Sequence, residues 1–150
     1  MKRIADILAV ERIRDLNATV KDAVIEEMCA LAASSPEVTD PAAFLRAIRA
    51  RETAMSTGIG MGLAIPHAKI PSVTGFVMAV GRSLGGIEFD SLDDLPVNIV
   101  ILIGSSDSQA NDFLRLIAKI GGLFNRPGIR ARFLAAASPA DIHAILAEAD

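Results

Sequence analysis

The chain has 150 residues, 51% hydrophobic and 22% charged, with a net charge of −3 spread over interspersed acidic and basic residues. That is the size and balance of one globular domain, read here over residues 1–150, and not of a disordered chain. With no Trp, no Tyr, six Phe and no basic stripe, it lacks the phosphate-neutralising charge and stacking platforms of nucleic-acid binders.

From the N-terminus, Met1 to Asp6 leads into a charged stretch with no apolar core and no small-residue cleavage site, so a secretory leader is not expected. No apolar run approaches the roughly 20 residues that span a bilayer. Residues Ile4 to Ile13 suit a short helix or turn. Thr19 to Ala33 predicts a helix, with Val20, Ala23, Val24, Met28 and Leu31 at helical spacing and Thr19 as N-cap before Asp22. The single Cys29 sits within that apolar pattern and reads as a buried small hydrophobe of a reduced, cytoplasmic protein. Asp40-Pro41 marks the start of a second helix, whose face is Phe44, Leu45 and Ile48 and whose end falls near Arg51.

Ser56 to His67 (STGIGMGLAIPH) breaks the helical pattern with glycines at 58, 60 and 62 and a proline at 66. Short strands joined by tight turns fit it. Phe76–Leu84 and Val97–Gly104 read as strands, the second apolar on both faces as a central strand requires. Ile87–Asp90 suits a short edge strand. Helices follow at about 108–124, 127–136 and 139–148, the last opened by Ser138-Pro139. The sum is an α/β fold: a three-layer α/β/α sandwich around a central mixed sheet.

Of the two histidines, His143 lies in the last helix, on or near its surface, while His67 closes the glycine-rich segment behind the rigid Pro66. From residue types alone, His67 reads first as an ordinary loop residue and the glycines as plain turns. Two distant histidines and one Cys give no metal-ligand spacing. Neither G-x-S-x-G nor a phosphate-binding P-loop is present, and the glycine run lacks the dinucleotide spacing. Neither a metal nor an organic cofactor is expected.

Arg51-Glu52, followed by Ser56-Thr57-Gly58-Ile59-Gly60-Met61-Gly62-Leu63-Ala64-Ile65-Pro66-His67, resembles the signature of the type 2 EIIA family of the phosphotransferase system, the mannitol/fructose class that includes the nitrogen-regulatory branch. The opening IADIL, the strand VNIVILIG and the three closing helices fall where that family places such elements. The resemblance implies an α/β/α fold and a phosphotransferase component with a phosphohistidine intermediate. It implies that His67 accepts a phosphoryl group from the small carrier HPr or a relative, and that Arg51 supports the bound group. Ser56, Thr57 and Gly58 are weaker candidates for holding its oxygens.

One position departs from the family pattern. Phe113 stands where many members carry a second active-site histidine, and Asp107, Asn111 or Arg115 could occupy that space. An apolar rim around His67, made of Ile59, Met61, Ile70 and Phe113, is expected to receive the donor. Three functions follow from the resemblance: a phosphorylation-dependent regulator that binds a target protein, a sugar-specific component handing phosphate to an EIIB domain, or a binding module that no longer takes phosphate. The partners are then proteins, not nucleic acid, and the chain is not membrane-inserted.

Overall fold

A computed structural model describes residues 3–150. Helix α1 (Ile4–Ile7) and one turn of 3-10 helix lead into strand β1 (Ile13–Asp15), followed by α2 (Lys21–Ala32) and α3 (Pro41–Ala54). Three short strands come next, β2 (Gly58–Gly60), β3 (Leu63–Ala64) and β4 (His67–Lys69), then the long β5 (Phe76–Ile87) and β6 (Val97–Ser105). Helices α4 (Ala110–Phe124), α5 (Pro127–Ala135) and α6 (Pro139–Ala149) close the chain.

The six strands form one mixed sheet in the order β1-β5-β6-β3-β2, with β4 also paired to β6. Strands β5 and β6 are antiparallel, whereas β3 and β4 both run parallel to β6 along the same edge, Leu63 opposite Ile99 and His67 opposite Ile103. The two-residue period of β6 fixes the layers. Ile99, Ile101 and Ile103 face the core built with α1, α4, α5 and α6, while Val100 and Leu102 face the core built with α2 and α3. Gly104 lets α3 approach, since a Cβ there would lie 2.6 Å from the Phe44 ring.

The predicted three-layer sandwich is therefore the observed one. Among the described residues, no helix is long and apolar enough to cross a membrane.

Three local expectations need correcting. Thr19 is not an N-cap: α2 begins one residue later behind Val20, with no side-chain cap, and its approach is held by Glu27, which accepts from the N–H groups of Asn17 and Ala18. Ile87–Asp90 is not a separate edge strand. The register of β5 shifts between Arg82 and Ile87, where Gly86 takes a φ of +82°, so the strand runs on to Ile87. Phe89 then turns into the core, fully buried. Finally, α3 continues to Ala54, which places Arg51 inside its last turn rather than at its end.

Candidate active site

Helix α3 exists because Asp40 accepts from the Ala43 N–H at 3.1 Å and Pro41 occupies the first helical position. Its buried face is Phe44, Ile48 and Glu52, one residue per helical turn. Arg51 lies about 100° round the helix from Glu52 and stays partly exposed. Its Nη1 donates to the Met55 carbonyl at 2.8 Å, a cation closing a helix C-terminus.

His67 begins β4, directly after Pro66. The Pro66 carbonyl accepts the Ile103 N–H at 3.0 Å, so the missing proline N–H costs the pairing with β6 nothing. The His67 side chain falls on the same face as Leu63 and Ile65, toward α4. There the Phe113 ring meets the imidazole edge-on, with centroids 5.6 Å apart at 61°. Nδ1 lies 2.7 Å from the Ile65 carbonyl oxygen. A carbonyl can only accept, so Nδ1 carries the proton and Nε2 holds the lone pair. No described residue engages Nε2.

Burial pushes the imidazolium below its ordinary value of 6.5, and the Arg51 charge pushes the same way, against the Ile65 hydrogen bond and the Glu52 charge. The ring is thus neutral at neutral pH, with one nitrogen anchored and the other available. A neutral imidazole nitrogen beside a guanidinium is a nucleophile paired with a ready anion partner. The chemistry it suits is group transfer to nitrogen, with negative charge held by Arg51.

Known proteins match this sequence and fold. Residues 6–149 fit the family model described as phosphoenolpyruvate-dependent sugar phosphotransferase system, EIIA 2. This chain belongs to that family. It is 35% identical over 137 residues to the fructose-specific EIIABC component of Bacillus subtilis, covering 91% of this chain and 22% of that much longer protein. It is 30% identical over 145 residues to a nitrogen regulatory protein of Bradyrhizobium diazoefficiens, covering 96% of this chain and 94% of the relative. Among solved structures, the nitrogen regulatory protein IIA-Ntr of Neisseria meningitidis superposes with a TM-score of 0.89 at 28% identity, over 95% of this chain and 98% of that one.

Seen as an EIIA domain, the predicted site residues fall into two groups. Phe113 lies against the His67 ring, and the Arg51 charge acts on that ring. Phe113 packs against the imidazole itself but is only 4% exposed, so it walls the site instead of rimming it. Asn111, Asp107 and Arg115 are exposed, and Arg115 pairs with Asp112.

Ile70 is buried at 2% exposure and offers no surface. Ile59 and Met61 are exposed but belong to the far end of the edge. Leu63 pairs four residues down β6 from where His67 pairs, roughly 13 Å at the rise of a strand, and Met61 lies beyond it. Two exposed side chains not foreseen adjoin the residues around His67: Met55, whose carbonyl Arg51 holds, and Leu114, which follows Phe113, each 65% exposed.

The hydroxyls of Ser56 and Thr57 are already used. Ser56 Oγ donates to the Phe89 carbonyl at 2.7 Å and accepts from the Gly58 N–H. Thr57 Oγ1 donates to Glu52 at 2.6 Å. Glu52 is structural and buried, and Lys21 pairs with it at 3.1 Å. The signal for this was present, because Glu52 continues the four-residue spacing of Phe44 and Ile48 into the core. His143 is half-buried, its Nε2 bonded at 2.9 Å to the Leu8 carbonyl, which ties α6 to the N-terminal segment.

Proposed function

We propose that this chain is a phosphoryl carrier whose acceptor is Nε2 of His67, and that it works as a phosphorylation-dependent regulator. The donor is the phosphohistidine of an HPr-type carrier protein. In the transfer the Nε2 lone pair bonds to phosphorus as the donor's P–N bond breaks, and the donor nitrogen keeps that electron pair. The Nδ1 proton stays on the His67 ring, shared with the Ile65 carbonyl. Arg51 meets the oxygens of the transferred group. Met55 and Leu114 provide apolar contact for the incoming carrier.

The observation that carries this reading is the Nδ1–Ile65 bond at 2.7 Å, which leaves Nε2 as the nucleophile at a strand end beside Arg51. The added group brings roughly −1.5 to −2 charges, enough to reverse the character of a surface that carries the Arg51 guanidinium.

The test is intact-mass spectrometry after incubation with phosphoenolpyruvate, enzyme I and HPr, at neutral or alkaline pH. The expected result is a single phosphoryl adduct on the wild type and none on His67→Ala. Absence of the adduct on folded wild-type protein, with a known EIIA domain labelled in parallel and the cognate carrier supplied, would establish a binding module instead. A second reading, onward transfer to an EIIB domain for sugar uptake, is favoured by the 35% identity to a fructose-specific component. Loss of the adduct on mixing with an EIIB protein, and its appearance there, would select it.

A further inference from the structure

Lys21 enters the protein interior from the first residue of α2. It continues the helical spacing of Val24, Ile25 and Met28, so its stem lies on the buried face. Its Nζ stands 3.1 Å from Glu52 Oε1, 3.6 Å from Asp90 Oδ2 and 4.7 Å from the centroid of the Phe89 ring. The Glu52 side chain is only 4% exposed. A carboxylate there is stabilised by a cation and by hydrogen bonds or not at all.

Its two oxygens grip one residue. Oε1 accepts the Thr57 N–H at 2.8 Å and Oε2 accepts the Thr57 hydroxyl at 2.6 Å. The Thr57 carbonyl then accepts the Ile65 N–H at 3.1 Å, and the Ile65 carbonyl accepts the His67 Nδ1 proton at 2.7 Å. The chain of bonds is continuous from a buried ion pair between two helices to the imidazole.

We infer that Lys21 and Glu52 are positioning residues for His67: through Thr57 and Ile65 they fix the carbonyl that holds Nδ1–H, and so select Nε2 as the nitrogen that receives a phosphoryl group. The inference deepens the carrier reading and rests on it for the identity of the transferred group; the choice of ring nitrogen stands apart from it. Without the clamp, Thr57 is free to shift, the Ile65 peptide loses its reference, and the imidazole can rotate or change tautomer. Charge-assisted hydrogen bonds such as those from Thr57 to Glu52 are the strong kind, and bonds in series within a low-dielectric interior reinforce one another.

The experiment has two readouts on the same samples. Ring nitrogen NMR of His67 in 15N-histidine protein reports which nitrogen carries the proton. Phosphoryl uptake from HPr in a single turnover reports the rate. The variants are Glu52→Gln, which keeps the shape and removes the charge, and Thr57→Val, which removes only the hydroxyl. Val24→Ala serves as a comparably destabilised control, because Val24 lies fully buried in the same core but outside the chain of bonds.

The expected result is a wild type almost wholly in the Nδ1–H form. Glu52→Gln should lose that preference and slow uptake about tenfold, as a displaced nucleophile does, with Thr57→Val intermediate. Val24→Ala should change neither. An unaltered tautomer and rate in folded Glu52→Gln and Thr57→Val would overturn the inference. Should Glu52→Gln fail to fold, Thr57→Val alone decides. If the wild type takes up no phosphoryl group, the carrier reading fails while the tautomer measurement still tests the positioning.

Discussion

The glycine hairpin around Met61 and the strand that carries His67 come from one unbroken stretch of sequence, yet they sit at opposite ends of the same sheet edge. The hairpin end is held by backbone: Gly60 and Gly62 take φ of +100° and +78°, Met61 itself sits at +57°, and its N–H donates to Asp93. At the histidine end side chains from both helical layers act on the ring, the charge of Arg51 from α3 and the Phe113 ring from α4. A contiguous motif therefore does two jobs. Its glycines shape a turn that brings β3 onto β6, and only its last residue meets the Phe113 ring and the Arg51 charge. A motif read as one functional unit overstates the site by the length of the hairpin.

Arg51→Gln is the change with the largest expected effect on the histidine end. On the proposed carrier function it removes the charge that meets the phosphoryl oxygens, and uptake from HPr should fall about a hundredfold, the scale of losing one preorganised donor. It also takes away a cation that disfavours the imidazolium, so the His67 pKa rises and the acid limb of the rate profile moves to higher pH. A limb that stays or moves down would separate Arg51 from His67.

At the start of the block, Gly58→Ala should break the fold instead of the chemistry. The new Cβ would lie 2.4 Å from Ser91 Oγ and 3.0 Å from Ser91 Cα, and overpacking of this kind costs about 2 kcal/mol. The denaturation midpoint should drop, while uptake by the remaining folded protein is unchanged.

A smaller effect concerns stability against pH. Folding holds His67 below its ordinary value of 6.5, so the unfolded chain binds more protons in the window between the depressed value and 6.5. Stability contributed by this group therefore declines as pH falls through that window and is level below it. His67→Leu should flatten this part of the curve; an unchanged slope would mean the ring is not desolvated.

The smallest expected effect is Met61→Gly. A left-handed backbone is strained for methionine and open to glycine, so stability should rise by about 0.5 kcal/mol with no change in uptake. A clear loss of uptake would return Met61 to the donor surface and undo the separation of the two ends.

Most of the layered fold was legible because it rests on periodicity. The apolar run Val97–Gly104 could only be a strand covered on both sides, and Asp40-Pro41 and Ser138-Pro139 carry their helix starts in their own chemistry. What was not legible depends on distance in space. Nothing local tells that Ile70 turns inward or that Phe89 fills the core under Lys21. Ser56 and Thr57 were read as hydroxyls for a ligand because sequence shows donors and not their partners, which here are Phe89 and Glu52. His67 and Arg51 were reached through resemblance to a family, since residue types alone left His67 an ordinary loop residue.

Arg51 and Glu52 are neighbours in the last turn of α3, one partly exposed with its charge acting on the imidazole and the other buried in the core. The order of two letters carries that division of labour. Writing them the other way round would keep composition, net charge and helix propensity, and would send a guanidinium to face Lys21 in the interior while a carboxylate took the place of the cation whose charge acts on His67. Any bookkeeping of this protein by content alone would count the two spellings as equal, and only one of them has a site.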